Sequence, residues 1–144
     1  MPVRSPYRGA LFLVALLVSP TPFAAPAYRG PDLSGTYVCT GQDHQEGAYT
    51  GTVTLALLRE RSTGPFASYD FRLDVPGYGS YPGHAAAQGR HMAISFANTD
   101  PTTRDYGTGI ARFQRLHGKW SFDKFYHEPE YKGGNYGTEH CVQR

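Results

Sequence analysis

The densest run of residues able to do chemistry is Tyr126-His127-Glu128-Pro129-Glu130-Tyr131-Lys132, followed by Asn135 and Tyr136. His127, Glu128 and Glu130 invite a metal reading. The run lacks the H-E-x-x-H spacing that puts two ligands on one helical face, and Pro129 bars that helix. On a strand, His127 and Glu128 point to opposite sides, so they do not converge unless the chain turns. The expectation is a polar loop with no metal. Glu128 and Glu130 are two apart, which in an extended stretch places them on one side at about 6 to 7 Å. Such a pair could serve as general acid and base. The competing reading is a surface ion-pair patch with Lys132. Serines 34, 80, 95 and 121 lie in no G-x-S-x-G elbow. Asp43-His44-Gln45-Glu46 reads as a solvated hairpin tip, and His84 and His91 as a cross-strand pair. No cofactor motif and no catalytic set stand out. What remains is a surface rich in tyrosine. Tyr is large, stiff and amphipathic, which suits recognition. Trp120, Tyr126, His127, Glu128, Glu130, Tyr131, Lys132, Asn135 and Tyr136 are therefore the candidate contact residues, for a protein or a glycan.

These residues need short strands to carry them. Seventeen Gly, eleven Pro and eleven Tyr, with almost no helical periodicity after residue 27, predict an all-β chain with tight turns. The expected strands cover residues 34–39, 49–58, 68–75, 80–87, 90–97, 107–116, 119–127 and 136–142. The third has the clearest alternation, with Tyr69, Phe71, Leu73 and Val75 against Ser68, Asp70, Arg72 and Asp74. The fourth is expected to be short or bulged, because Pro82 removes a ladder donor. In the seventh, Trp120, Phe122, Lys124 and Tyr126 share a face. His117-Gly118 fits a two-residue hairpin turn. Eight strands in hairpin order predict an up-and-down antiparallel β-barrel, with a β-sandwich as the alternative. A tyrosine just before a glycine recurs at Tyr49-x-Gly51, Tyr81-x-Gly83, Tyr106-Gly107 and Tyr136-Gly137. This is either a ring of tyrosines at one barrel mouth or ordinary corner packing.

Residues 1–27 have the pattern of a secretory signal peptide. Arg4 and Arg8 precede the apolar run 10–18, which is too short to span a bilayer, and Ala25-Pro26-Ala27 is an A-x-A cleavage site. Without Arg4 and Arg8, twelve basic residues face twelve acidic ones. A neutral domain of residues 28–144 has no electrostatic footprint for nucleic acid, and no second apolar run long enough for a membrane span exists. Export implies an oxidising compartment, where Cys39 and Cys141 are expected to form one disulfide tying the first strand to the last.

Several short elements occur in a telling order: Y-T-G-T-V at 49–53, Y-x-G at 81–83, G-R-H-M-A-I-S-F at 89–96, G-T-G-I-A-R-F at 107–113, G-x-W at 118–120 and G-G-N-Y-G-T-E at 133–139. Together they resemble a group of small exported bacterial proteins, often labelled fibronectin-binding or left uncharacterised. The opening Leu33-Ser34-Gly35-Thr36-Tyr37 looks like the L-S-G-T-W start of avidin-type barrels, with Tyr37 in place of Trp. The resemblance implies a small avidin- or lipocalin-like barrel exported to the periplasm or beyond. It transfers no contact residues, and no matching set of biotin contacts accompanies it.

Three functions follow as expectations. The first is non-enzymatic binding of an extracellular or periplasmic protein or glycan through the tyrosine-rich loop. The second is carriage of a small apolar or aromatic ligand inside the barrel against Trp120 and Phe122. The third is a hydrolase or isomerase built on Glu128, Glu130 or His127.

Overall fold

The computed structural model describes residues 24–144. The expected leader, 1–27, lies outside the described residues except for its last four. Eight antiparallel strands follow in sequence order: β1 (Gly35–Asp43), β2 (Gly47–Leu57), β3 (Phe66–Val75), β4 (Gly79–Gln88), β5 (His91–Ala97), β6 (Tyr106–Leu116), β7 (Lys119–Glu128) and β8 (Asn135–Gln143). Each pairs with the next, and β8 returns to β1, so the sheet is a closed up-and-down barrel. Closure leaves no edge strand open to pairing with another chain.

The alternation of side chains decides which face is the core. On β7, Trp120, Phe122, Lys124, Tyr126 and Glu128 point inward, while Asp123, Phe125 and His127 are exposed. On β3, Tyr69, Phe71, Leu73 and Val75 point inward as the period of two predicts. β4 is neither short nor bulged. It runs ten residues, and Pro82 sits opposite Arg72 on the outer wall without interrupting the register. The turn His117-Gly118 has both residues at positive φ, 50° and 81°, the geometry that matches strand twist in a two-residue hairpin.

Cys39 and Cys141 face each other in the β1–β8 register and are joined as a disulfide, with Cα atoms 4.0 Å apart. The cross-link lies inside the barrel, and both cysteines are fully buried. It fastens the seam where the first strand meets the last.

The two ends of the barrel differ. At one end, Tyr37, Tyr69, Phe113 and Phe122 fill the interior. Leu33 closes this end from outside the first strand. Its N–H donates to Tyr69 Oη at 3.1 Å, and its carbonyl accepts from Tyr37 Oη at 2.8 Å. Trp120 lies here too, with the guanidinium groups of Arg90 and Arg115 5.9 and 5.5 Å from its ring centroid. The other end carries the four connections β1–β2, β3–β4, β5–β6 and β7–β8, and it is the mouth. No helix among the described residues is long and apolar enough to cross a membrane.

Candidate functional site: an acidic, tyrosine-lined mouth

Small residues in the wall make room for large ones at the mouth. Gly41 on β1 and Gly137 on β8 face inward. A Cβ at Gly41 would collide with the Tyr49 ring, and one at Gly137 with the Tyr126 hydroxyl. Two of the recurrent tyrosines, Tyr49 and Tyr81, point into this end, whereas Tyr106 and Tyr136 stand on the outer wall. The tyrosine ring expected from the repeat is therefore half inside and half outside. Tyr126 completes the inner lining, and Tyr78 and Tyr131 stand around its rim.

Among these rings lie carboxylates. Asp43, the last residue of β1, is buried. Its Oδ1 accepts from the N–H groups of Gln45 and Glu46 at 2.8 and 2.9 Å. Its Oδ2 accepts from Tyr126 Oη and Asn135 Nδ2, both at 2.7 Å. Burial opposes its charge, but these donors outweigh burial and hold its pKa below the ordinary value. Asn135 Nδ2 also donates to Glu128 Oε2 at 2.5 Å. Asp105, at the end of the β5–β6 loop, accepts from Tyr81 Oη at 2.7 Å through Oδ2. Its other oxygen, Oδ1, is buried and meets no donor apart from the proton Asp105 shares with Glu128. Asp105 and Glu128 are in side-chain contact. Burial, and then the neighbouring Asp105 charge, push Glu128 up to about 8, and burial raises Asp105 as well. Two carboxyl groups in one desolvated site cannot both ionise cheaply, so the pair keeps a proton into the neutral range.

Deeper in, Lys124 and Glu139 form a fully buried ion pair at 2.6 Å. Tyr49 Oη donates to Glu139 Oε1 at 2.5 Å. The Lys124 ammonium lies 5.3 to 5.5 Å from the ring centroids of Phe71, Phe96 and Tyr126. It meets Glu139 at ion-pair distance but without hydrogen-bond alignment, so the rings supply part of its stabilisation. Above this pair is a cavity of about 50 Å³, lined by Asp43, Tyr81, Phe96, Asp105, Tyr126 and Glu128 among others. That is space for a few waters or one small group.

Glu46 ties the rim together. It accepts from Tyr131 Oη at 2.8 Å and Tyr78 Oη at 3.3 Å, and it pairs with Lys132. Three of the four mouth connections thus meet at one carboxylate. On the far side of the rim, Arg104 pairs with Glu130. No family model matches this chain, and no curated protein matches it either.

The structure splits the candidate contact residues into four places. Tyr126, Glu128 and Asn135 point into the mouth. Glu130, Tyr131 and Lys132 stand on the rim. His127 and Tyr136 face outward, Tyr136 stacked on His44 with ring centroids 4.6 Å apart. Trp120 lies at the opposite, plugged end. Two smaller expectations are corrected. Glu128 and Glu130 do not form a pair, because the chain turns after Glu128 and leaves one inside and the other on Arg104. His84 does not meet His91. It lies opposite Ser95 and contacts Asp70, while His91 lies opposite Gln88. The sequence reading missed Asp43, Asp105 and Glu139, and named Tyr49 and Tyr81 only in its tyrosine-ring alternative. Strand parity places three of them: Asp43 continues the inward series Tyr37, Cys39, Gly41; Glu139 sits two before Cys141; Tyr49 is two before Gly51. Asp105 lies in a loop, where no periodicity marks it.

Proposed function

We propose that this chain is an exported, non-enzymatic binding protein that engages a protein or glycan through the tyrosine-rich rim and mouth of its barrel. The observation that carries this reading is the asymmetry of the two ends. One end is plugged by Leu33 and packed with aromatic rings. The other gathers tyrosines and carboxylates around a small cavity, under a rim held by Glu46. The volume of that cavity weighs against carriage. Ligand pockets usually measure about 300 to 1,000 Å³, and the apolar interior near Trp120 and Phe122 is filled. A rim of tyrosines fixed by hydrogen bonds is already ordered before binding, which lowers the entropy lost on association.

The test is partner capture from extracellular fluid, alongside a glycan array, with the disulfide-bonded domain as bait. Tyr131→Ala combined with Tyr78→Ala should lower affinity at least tenfold. Ile110→Ser on the outer wall should leave it unchanged. Full binding by the rim variant would refute the assignment.

A further inference from the structure

The mouth holds more carboxyl groups than the described residues supply cations for. Of the carboxylates lining the cavity, Glu139 has Lys124 and Glu46 has Lys132. Asp43, Asp105 and Glu128 have no cationic partner among the described residues. Asp43 is satisfied by four donors. Asp105 is 7% exposed and lines the cavity, and apart from the proton it shares with Glu128 its Oδ1 meets no donor. Behind the lining, next to Glu128, Asn135, 2% exposed, spends both amide hydrogens on Asp43 and Glu128 and leaves its own Oδ1 unpaired. A buried acceptor without a donor is costly, because it has given up its hydrogen bond to water. The rings of Tyr81, Phe96 and Tyr126 stand around the same space, with neighbouring centroids 6.2 and 6.1 Å apart and near-perpendicular planes. Carboxylates, unpaired acceptors and aromatic faces together are the chemistry that holds an organic cation.

We propose that this cavity receives the cationic tip of an arginine or lysine side chain from the partner, seated between Asp105 and Glu128 and against the rings of Tyr81, Phe96 and Tyr126. The inference rests on the docking reading above and names what enters the mouth. Size decides between a side chain and a free metabolite. About 50 Å³ admits a guanidinium or ammonium group and little more, so the rest of the ligand must remain outside, on the rim. The incoming cation replaces the proton held by the carboxyl pair. Glu128 gives that proton to solvent, its carboxylate and that of Asp105 then face the bound cation, and charge balances. The groups facing Glu128 are Asp105 from the β5–β6 loop, Asp43 from β1, Asn135 from β8 and Tyr81 from β4. Lys124 lies four residues back on the same strand and is already engaged by Glu139. None of these supplies a competing cation at the pair.

The test uses the disulfide-bonded domain with Nα-acetyl-arginine methylamide and Nα-acetyl-lysine methylamide. Nα-acetyl-norleucine methylamide is the uncharged control, and calcium chloride the metal control. Binding is read from the ring resonances of Tyr81 and Tyr126, and proton release from calorimetry in buffers of different ionisation enthalpy. The basic amides should shift both rings and release a proton. Their affinity should rise about tenfold per pH unit between pH 6 and 7.5. Glu128→Gln should bind with a flat pH profile, and Asp105→Asn should bind at least tenfold more weakly. Equal binding of the norleucine amide, a pH-independent affinity in the unmodified protein, or a response to calcium alone overturns the inference. If the amides fail while the rim variants still lose the partner, the cation site is wrong and the docking reading stands. Amide binding by a protein whose rim variants keep full partner affinity overturns the docking reading and leaves the cation site supported.

Discussion

Glu128 shows how one position in the wall sets the behaviour of a side chain. Two residues after Tyr126 on an alternating strand, it must point inward, and it arrives where Asp105 and Asp43 already are. Its carboxyl is held up to about 8 against an ordinary 4.5, first by burial and then by the Asp105 charge. The folded protein therefore binds a proton that the unfolded chain has lost between pH 4.5 and about 8. Stability from this group falls as pH rises through that window. Asp43 acts in the opposite sense. Its native pKa is lowered, so its contribution is present above its unfolded value and is lost as pH falls. The unfolding midpoint should decline from mildly acidic to mildly alkaline pH. Glu128→Gln should flatten that decline, by an amount on the order of a few kcal/mol at pH 9. Thermal unfolding across pH 5 to 9 measures it, and parallel curves for the two proteins would refute the assignment. Lys124 supplies a second prediction at this scale. Lys124→Met leaves Glu139 buried without its cation and should cost about 3 to 5 kcal/mol in a urea melt. Adding Glu139→Leu should recover much of the loss, since the aromatic surroundings suit an apolar pair. If the double variant is no more stable than the single one, the pair contributes something other than mutual neutralisation.

At the scale of elements, the strands were largely legible and the mouth was not. Alternating runs such as Tyr69 to Val75 report a half-buried strand directly, because one face meets the core and the other meets water. The fourth strand runs longer than Pro82 suggests. Pairing with β5 begins only at Gly83, so Pro82 lies beyond that ladder, and its register with β3 opposite Arg72 is kept. The tip Asp43-His44-Gln45-Glu46 looked solvated because all four residues are polar. The first strand in fact extends to Asp43, and parity turns that side chain inward while His44 stays outside. Loop residues such as Asp105 carry no such signal, since their direction is set by tertiary contacts alone. Hence Glu128 and Asn135 were among the expected contact residues, but their acidic partners were not. The disulfide belongs to this scale as well. It bridges two strands already paired over seven positions, from Tyr37 opposite Gln143 to Asp43 opposite Gly137. Replacing both cysteines with alanine should leave the far-ultraviolet circular dichroism of a closed sheet, with stability reduced by about 2 to 5 kcal/mol. Loss of the β signal at room temperature would mean that hydrogen bonding alone cannot close the seam.

For the whole molecule, the division of labour runs along the barrel axis. The C-terminal residues and the Leu33 plug belong to one end, which is packed and apolar. All four strand connections that can vary without disturbing the plug gather at the other. Such an arrangement lets one end fix the fold while the other presents side chains to a partner. Glu46 is the fastening point of that presentation. Glu46→Ala should speed amide exchange in the β3–β4 and β7–β8 connections with little change in the unfolding midpoint, because its contacts lie at the surface. Unchanged exchange there would show that the backbone holds the rim without it. The mouth keeps a pair of carboxyl groups with no cation from the described residues. Carbon-13 titration of the carboxyl signals of Glu128 and Asp105 in the free protein tests it most directly. Glu128 should titrate near pH 8, with the Asp105 signal responding in the same step. Two independent transitions at ordinary acidic pH would contradict it.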